Sequence, residues 1–364
     1  MTGNERTPSM RPATPLARVS HLAGRMRGRQ AARPGARPVL AFGLRRPVML
    51  PLCLLAITTI VFWSANPAFL TALNVSGMLA YAPELGLVAL GMTLLLTAGQ
   101  FDLSVGSVFG AVPLLVFVLV NDLAMPLPAA FVLGLLLAAV IGLVNGLLVT
   151  KAGISSFLVT LSTQLIVGGA ALYLSNGYPQ STLQSQSVLR GVLAGQIQIG
   201  SLTIRAGLIW FAAAALACAY LLHQTRAGNW ITATGGNREA ATARGIRTGR
   251  LTILLFITAA VLAGLAGIIS DTRLNLAYPT AGTGYELQAI AIAVVGGTSL
   301  FGGFGTIAGT VIGAMLLQEI SNGVVLVGVP GLAYQMFVGA IILLAMLMQA
   351  GLKKLRLPGT RWGA

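Results

Sequence analysis

The amino-acid sequence predicts an all-α polytopic membrane protein, and three observations lead to this prediction. Hydrophobic residues make up 56% of the 364-residue chain, whereas charged residues make up only 9%. Soluble domains carry about 25% charged residues, so this chain cannot cover a surface that faces water. The apolar residues form long runs that contain many glycines and no strand-like alternation, which favours membrane helices over a β-barrel.

About ten transmembrane helices are predicted with a window of about 20 residues, the length that crosses a bilayer. The first run follows Arg45-Arg46 but lacks a clear small-residue cleavage site, so it reads as a helix rather than an export signal. Together the spans form a predicted transmembrane domain over residues 48–350. They are 48–65, 77–97, 104–121, 127–149, 156–175, 206–223, 251–270, 286–300, 304–322 and 332–350.

The net charge of +15 is concentrated at the N-terminus, where ten of the 23 basic residues lie within residues 1–47. This segment is rich in proline, glycine, alanine and serine, and its composition predicts a disordered cytoplasmic tail. No aromatic residue precedes Phe42, so contact with anionic lipid headgroups is favoured over nucleic-acid binding. Residues 351–364 form a second, short basic tail.

The distribution of basic residues predicts the orientation of the chain in the membrane. With the N-terminus inside, twenty basic residues lie in cytoplasmic segments and only Arg190, Arg205 and Arg273 lie outside. This bias follows the positive-inside rule and places both termini in the cytoplasm. The longest outer segment is then 176–205, and the main inner loop is 224–250.

Two long apolar stretches, one in each half of the chain, are interrupted by polar and glycine residues. The first break is "GQFDLSVGS" (99–107) and the second is "GGTSLFGG" (296–303). Paired interruptions in corresponding halves indicate a substrate pathway built from broken helices, with an internal inverted repeat as a hypothesis. The span count places both breaks toward the inner side of the membrane.

Four acids in or near the spans require an explanation, because a carboxylate inside a bilayer is costly. Asp102 is expected to cap the following half-helix by accepting from the N–H of Ser104 or Val105. A direct contact with a polar solute is an open alternative for the same residue. Glu84 is expected in the first turn of its helix, whereas Glu286 and Glu319 are expected near solvated outer ends of their spans.

The sequence lacks the residues that several classes of function need. No lysine follows a glycine, so the chain has no phosphate-binding loop for ATP hydrolysis. No paired catalytic groups or metal-ligand clusters occur, so neither an enzyme nor a metal site is expected. Apart from Asp102, nearly every charge lies at a span end, which counts against an ion-coupled carrier.

The inner loop contains "ATGGNREAATARGI" (233–246), which predicts a Gly-Gly turn, Asn237 as an N-cap and a short helix. A short helix outside the membrane can dock a cytoplasmic partner. It can equally lie on lipid headgroups, and the composition leaves both interpretations open.

Four stretches together resemble the permease subunits of bacterial ABC importers for monosaccharides, the group typified by the ribose permease. They are "ELGLVALGMTLLLTAGQFDLSVGS" (84–107), "NGLLVTKAGISSFLVTLSTQLIVGGAALYLSNG" (145–177), "ATGGNREAATARGI" (233–246) and "GGTSLFGGFGTIAGTVIGAMLLQEISNGVVLVGV" (296–329). The chain departs from this family at Gln100 and Phe101, where members usually read Gly-Ile, and at Ser156, where members often carry proline.

The resemblance implies a substrate pathway and a region that couples to an ATPase subunit. The implied pathway residues are Gln100, Phe101, Asp102, Ser104, Ser107, Gly296, Gly297, Thr298 and Ser299. The implied coupling residues are Gly235, Gly236, Asn237, Glu239, Ala240 and Ala241.

The resemblance also implies partners and a location. Expected partners are an ATPase subunit that carries ATP and Mg²⁺, a periplasmic or extracellular sugar-binding protein, and a second permease subunit in a homodimer. The chain itself is expected to hold no cofactor and to lie in the bacterial inner membrane. The alternatives are an ABC permease for another small solute, such as a branched-chain amino acid, or an ion-coupled carrier that works without ATP.

Overall fold

The computed structural model describes residues 48–181 and 187–330, together with Gly3 and seven positions between 333 and 347. The α-helices in this part of the chain are α1 Met49–Ala65, α2 Ala72–Thr97, α3 Val105–Asn121, α4 Leu127–Thr150, α5 Ser156–Leu174, α6 Val188–Ala194, α7 Ala206–Gln224, α8 Arg226–Gly236, α9 Arg238–Ala243, α10 Thr248–Leu274, α11 Tyr285–Val295 and α12 Ile307–Leu326. A 3-10 turn covers Pro67–Leu70, and the short strands are β1 Gln180–Ser181, β2 Gln196–Ile199, β3 Leu202–Arg205 and β4 Leu276–Ala277.

Nine of these helices correspond to nine of the predicted spans. Six are at least 18 residues long and apolar enough to cross a membrane, and α1, α3 and α11 are shorter apolar helices. The prediction of an all-α polytopic membrane protein is therefore confirmed. The predicted tails 1–47 and 351–364, and all but isolated positions of the span 332–350, lie outside the described residues.

Helices α2 and α10 form the centre of the bundle. Helix α2 buries 83% of its most apolar 18-residue window, whereas the peripheral helix α5 buries only 17%. Helix α10 packs against α2, α3 and α4. A Cβ atom at Gly146 of α4 would lie 2.7 Å from the Cα of Ile253, so glycine there lets the α4 and α10 backbones touch.

The bundle has two structurally different ends. At one end, β2 and β3 pair as an antiparallel hairpin, and the N–H of Thr203 donates to the Ser76 hydroxyl at 2.9 Å. We call this the hairpin end, and we call the opposite end, which carries the two short helices, the α8–α9 end. Strand β1 pairs with β4, so the predicted polar excursion 176–205 contains local structure where it is described.

The expectation for Glu84 is wrong. Helix α2 begins at Ala72 rather than at residue 77, so Glu84 lies several turns inside the helix. Its carboxylate forms an ion pair with Arg273 of α10, and both side chains are less than 10% exposed. A buried ion pair of this kind weakens the argument against an ion-coupled carrier. The pair lies near the hairpin end, because Pro83, which precedes Glu84, lies beside the first turn of α7.

Helix α11 is a half-span rather than the full span predicted at 286–300. It has 11 residues, which is about 16 Å at 1.5 Å per residue, roughly half of a hydrocarbon core. The preceding chain runs along α3 without helical structure: the Pro279 carbonyl oxygen lies beside Gly110, and that of Gly282 lies beside Gly106. Helix α11 therefore starts inside the bundle, next to the start of α3.

The expected solvation of Glu286 and Glu319 is also wrong. Glu286 lies in the first turn of α11 and is 7% exposed, because the re-entrant chain places that turn inside the protein. Glu319 lies on α12 and is 6% exposed, because α12 packs that region against α1.

Candidate functional site

Three loops that are far apart in sequence meet at the α8–α9 end of the bundle. They are the α2–α3 loop (residues 98–104), which contains most of the first break, the α8–α9 turn (residues 235–237), and the α11–α12 loop (residues 296–306), which contains the second break. We call their meeting point the junction. The N–H of Gly303 donates to the Thr97 carbonyl oxygen at 3.0 Å, which joins the two breaks directly. The predicted interruptions of the two helical stretches are confirmed as helix ends at Thr97 and Val295.

Glycine is required at the junction because backbone packs on backbone there. A Cβ atom at Gly302 would lie 2.6 Å from the carbonyl oxygen of Gly235. A Cβ atom at Gly235 would in turn collide with the Thr97 carbonyl oxygen. Gly302 and Gly303 have φ values of +83° and +79°, which residues with side chains rarely adopt. The α8–α9 turn is thus in direct contact with both breaks.

The second break is a tight loop held by its own polar groups. The N–H of Ser299 donates to the Phe304 carbonyl oxygen at 3.0 Å, and the buried Thr298 hydroxyl accepts from the N–H of Thr306 at 3.4 Å. Gly296 packs on Gly309 of α12, and Gly297 has a φ of +95°. The four predicted pathway residues of this break therefore lie in the same loop as Gly302 and Gly303, which pack on the predicted coupling region.

Asp102 is fully buried and anchors the start of α3. Its Oδ1 accepts from the backbone N–H of Ser104 at 2.8 Å and from the Ser104 hydroxyl at 2.6 Å. The expected hydrogen bond to Ser104 is thus present, although Ser104 itself occupies the N-cap position of α3. Asp102 Oδ2 is buried without a hydrogen-bond partner among the described residues.

A chain of buried hydrogen bonds continues from this carboxylate to α5. Asn145 Nδ2 of α4 donates to the Ser104 hydroxyl at 2.9 Å, and Thr163 Oγ1 of α5 donates to Asn145 Oδ1 at 2.7 Å. The N–H of Leu103 donates to the Thr160 hydroxyl at 3.0 Å. Buried polar groups need such partners, and here the α2–α3 loop, α4 and α5 supply them to one another.

One face of α5, which was not predicted from the sequence, contacts the starts of both α3 and α11. Thr160, Thr163 and Gln164 follow helical spacing, and we call these three residues the α5 polar stripe. Gln164 Nε2 donates to Glu286 Oε1 at 2.9 Å. Three polar residues at this spacing in an apolar span were the available signal.

The remaining predicted pathway residues of the first break are accessible. Gln100, Phe101 and Ser107 are partly exposed, in contrast to Asp102 and Ser104. The rings of Phe101 and Phe157 meet edge to face with centroids 6.2 Å apart. The first break therefore presents an amide, an aromatic ring and a hydroxyl outward, and keeps its carboxylate inside.

The predicted short helix in the main loop is present as α9. Asn237 Oδ1 accepts from the N–H of Ala240 at 2.9 Å, so the predicted N-cap is correct. Gly236, Asn237, Glu239 and Ala240 are exposed, whereas Ala241 is buried. Helix α8, which precedes the turn, was not predicted. Among the described residues, no group of three His, Cys, Asp or Glu side chains could hold a metal ion.

Broken helices around a buried polar centre, with short helices packed on the breaks, define a multi-pass membrane protein of the transport type. Residues 74–347 match the family described as branched-chain amino acid transport system / permease component. The match covers more than half of the sequence, so the chain belongs to this family of transport permeases.

Curated relatives match most of the chain. The ribose import permease protein of Escherichia coli is 39% identical over 283 residues, which cover 77% of this chain and 86% of the relative. The ribose import permease protein of Bacillus subtilis is 38% identical over 301 residues, which cover 81% and 90%. The xylose/arabinose import permease protein of Sulfolobus acidocaldarius is 32% identical over 299 residues, covering 80% and 82%. No solved structure matches the chain at a significant level.

Proposed function

We propose that this chain is the transmembrane subunit of an ABC importer that moves a monosaccharide or related polyol across the inner membrane. Transport proceeds by alternating access, and a separate ATPase subunit drives it. The observation that carries this proposal is the junction, where the exposed α8–α9 turn touches both helix breaks through Gly235 and Gly302. The sugar class is supported by the relatives, which are ribose and xylose/arabinose import permease proteins.

The junction offers a short mechanical route from a cytoplasmic partner to the membrane. A partner that displaces α9 also displaces Gly235, because α9 follows the α8–α9 turn directly. Backbone contact then transmits the displacement to Thr97 at the end of α2 and to Gly302 in the α11–α12 loop. Tightly packed backbone transmits small shifts because it cannot compress.

The solute pathway in this proposal uses hydroxyl and amide groups of the first break. Gln100 and Ser107 are accessible, and they can bond sugar hydroxyls without trapping the solute. The buried Asp102 and Ser104 hold the start of α3 in place and do not contact the solute. A transit site must release what it binds, so we expect weak solute binding by the permease alone.

The assembly in this proposal contains further subunits. An ATPase pair holding ATP and Mg²⁺ docks on residues 235–241, and a sugar-binding protein delivers solute from the outer side. A second copy of this chain completes the pathway, and both termini face the cytoplasm. The twenty basic residues in the predicted inner segments support this orientation.

Uptake measurements with the complete transport system test the solute and the energy source. We expect unlabelled pentoses or hexoses to compete with the labelled solute, and we expect ATP depletion to stop uptake. Competition by leucine, isoleucine or valine would support a branched-chain amino acid permease, which the family description favours. Loss of uptake with an uncoupler while ATP is maintained would support an ion-coupled carrier.

A further inference from the structure

The carboxylate of Glu286 has one free acceptor in the middle of the bundle. Its Oε1 accepts from Gln164 Nε2 at 2.9 Å, whereas Oε2 is buried without a hydrogen-bond partner among the described residues. The Glu286 side chain is 7% exposed. Oε2 lies against Gly106, where a Cβ atom would collide with it.

The surroundings of Glu286 account for one of its two carboxylate oxygens and not for the other. The start of α11 provides a partial positive charge, and Gln164 satisfies one oxygen. Among the residues that the structure describes, Glu84 forms an ion pair with Arg273, whereas Glu286 has no cationic partner. A glutamine at this position would anchor α11 to α5 equally well, which leaves the second carboxylate oxygen without a structural role.

The location of the free oxygen indicates which ligand it takes. Gly106 and Gly282 bring the starts of α3 and α11 together at this point, and the α5 polar stripe borders them. The partly exposed Ser107 lies 3.7 Å from a Cβ position at Gly168, one helical turn beyond Gln164 on α5. An accessible hydroxyl and amide thus lead to a buried acceptor.

The geometry points to Glu286 as the residue that accepts a hydrogen bond from a solute hydroxyl during transit, with Gln164 and Ser107 beside it. A neutral polyhydroxylated solute supplies O–H donors to the carboxylate and acceptors to the amide and hydroxyl. This assignment rests on the proposed sugar-importer function. In the present conformation Gly106 covers Oε2, so binding requires the start of α3 to separate from the start of α11.

The test compares Glu286→Gln with Glu319→Gln in the complete transport system. Both acids are buried and each has one oxygen without a hydrogen-bond partner among the described residues, but Glu319 lies on α12 in a region that packs against α1. The probes are D-ribose, D-xylose and their monodeoxy analogues, each labelled and present at saturating concentration. The maximal uptake rate is measured and normalised to the amount of permease in the membrane.

We expect Glu286→Gln to lower the maximal rate for the parent sugar roughly tenfold, because charge-assisted hydrogen bonds are about twice as strong as neutral ones. One monodeoxy analogue lacks the hydroxyl that Glu286 binds. We expect the wild type to transport this analogue more slowly than the parent sugar, and we expect Glu286→Gln to transport it no more slowly than the wild type does. Glu319→Gln stays within about twofold of the wild type for every probe.

Two results would overturn this assignment while the proposed function stands. One is a maximal uptake rate for Glu286→Gln that equals the rate of the wild type. The other is an equal loss for every sugar and every analogue, which indicates a purely structural role. If the wild-type transport system takes up no pentose, hexose or polyol, the proposed sugar function is wrong, and this assignment fails with it.

Discussion

Gly303 and Thr97 are joined by a main-chain hydrogen bond of 3.0 Å between residues that lie 206 positions apart. This bond ties the end of α2 to the loop between α11 and α12. One helical turn away, the hydroxyls of Thr93 and Thr310 share a buried hydrogen bond of 2.7 Å. The two breaks therefore belong to one packed unit, on which the α8–α9 turn rests.

Filling the junction tests whether that unit transmits motion. We expect Gly235→Ala to reduce uptake at least about tenfold, because its Cβ collides with the Thr97 carbonyl oxygen and overpacking forces backbone shifts. The permease should still be inserted in the membrane. The matched control is Gly169→Ala on α5, where a Cβ meets no atom within 4 Å. Equal uptake by both variants would contradict transmission through the junction.

The two breaks are expected to be essential for transport and dispensable for insertion. Asp102→Ala removes the acceptor of both Ser104 bonds, and Gly297→Ala forces a side chain into a φ of +95°. We expect both variants to lose uptake while membrane fractions contain normal amounts of protein. Full uptake by both would remove the broken-helix argument.

The buried hydrogen-bond chain is expected to stabilise the fold. Ser104→Ala leaves one Asp102 oxygen and the Asn145 amide with fewer partners, and each such loss costs about 1–3 kcal/mol. Thermal unfolding in detergent should show a lower midpoint. Ser162→Ala serves as the control, because that exposed hydroxyl on α5 bonds only its own helix backbone. A midpoint for Ser104→Ala that equals the control would exclude a stabilising role.

The Glu84–Arg273 pair is expected to show strong non-additivity. Arg273→Met leaves a buried carboxylate without its cation, which costs about 3–5 kcal/mol in buried pairs. The double variant Glu84→Leu with Arg273→Met should recover most of that loss, as measured by the free energy of unfolding. Additive losses from the two single variants would show that the pair is not coupled.

The cap of α9 provides a test of the proposed docking surface. Asn237→Ala removes the acceptor for the N–H of Ala240 and should destabilise the cap by about 1 kcal/mol. We expect weaker co-purification of the ATPase subunit, and we expect recovery with Asn237→Asp, which retains the acceptor. Failure of Asn237→Asp to recover binding would attribute the defect to the amide itself.

The helical spans were predictable because apolar run length and positive charge are local properties of the sequence. The half-span α11 was not, because the course of residues 275–284 depends on contacts with Gly106 and Gly110 of another helix. For the same reason, the sequence predicted a solvated Glu286 at a span end, whereas the folded chain buries this residue. The sequence also indicated the Asn237 cap, whose donor lies only three residues away.

The α5 polar stripe shows why the polar network was harder to predict than the helices. Threonine in a membrane helix can bond its own backbone, as Thr160 does with the Ser156 carbonyl oxygen at 2.8 Å. Polar spacing alone therefore does not distinguish a self-satisfied hydroxyl from one that also accepts from Leu103. That distinction required the packing of α3 against α5.

Affinity purification of the tagged protein from native membranes, followed by mass spectrometry, tests the central claim most directly. We predict recovery of a cytoplasmic ATPase subunit, and we predict its loss when Glu239 or the surrounding residues 235–241 are altered. Recovery of the permease alone, under gentle conditions that preserve known ABC complexes, would contradict an ATP-driven importer. Asp102 would then be the first residue to test as an ion site.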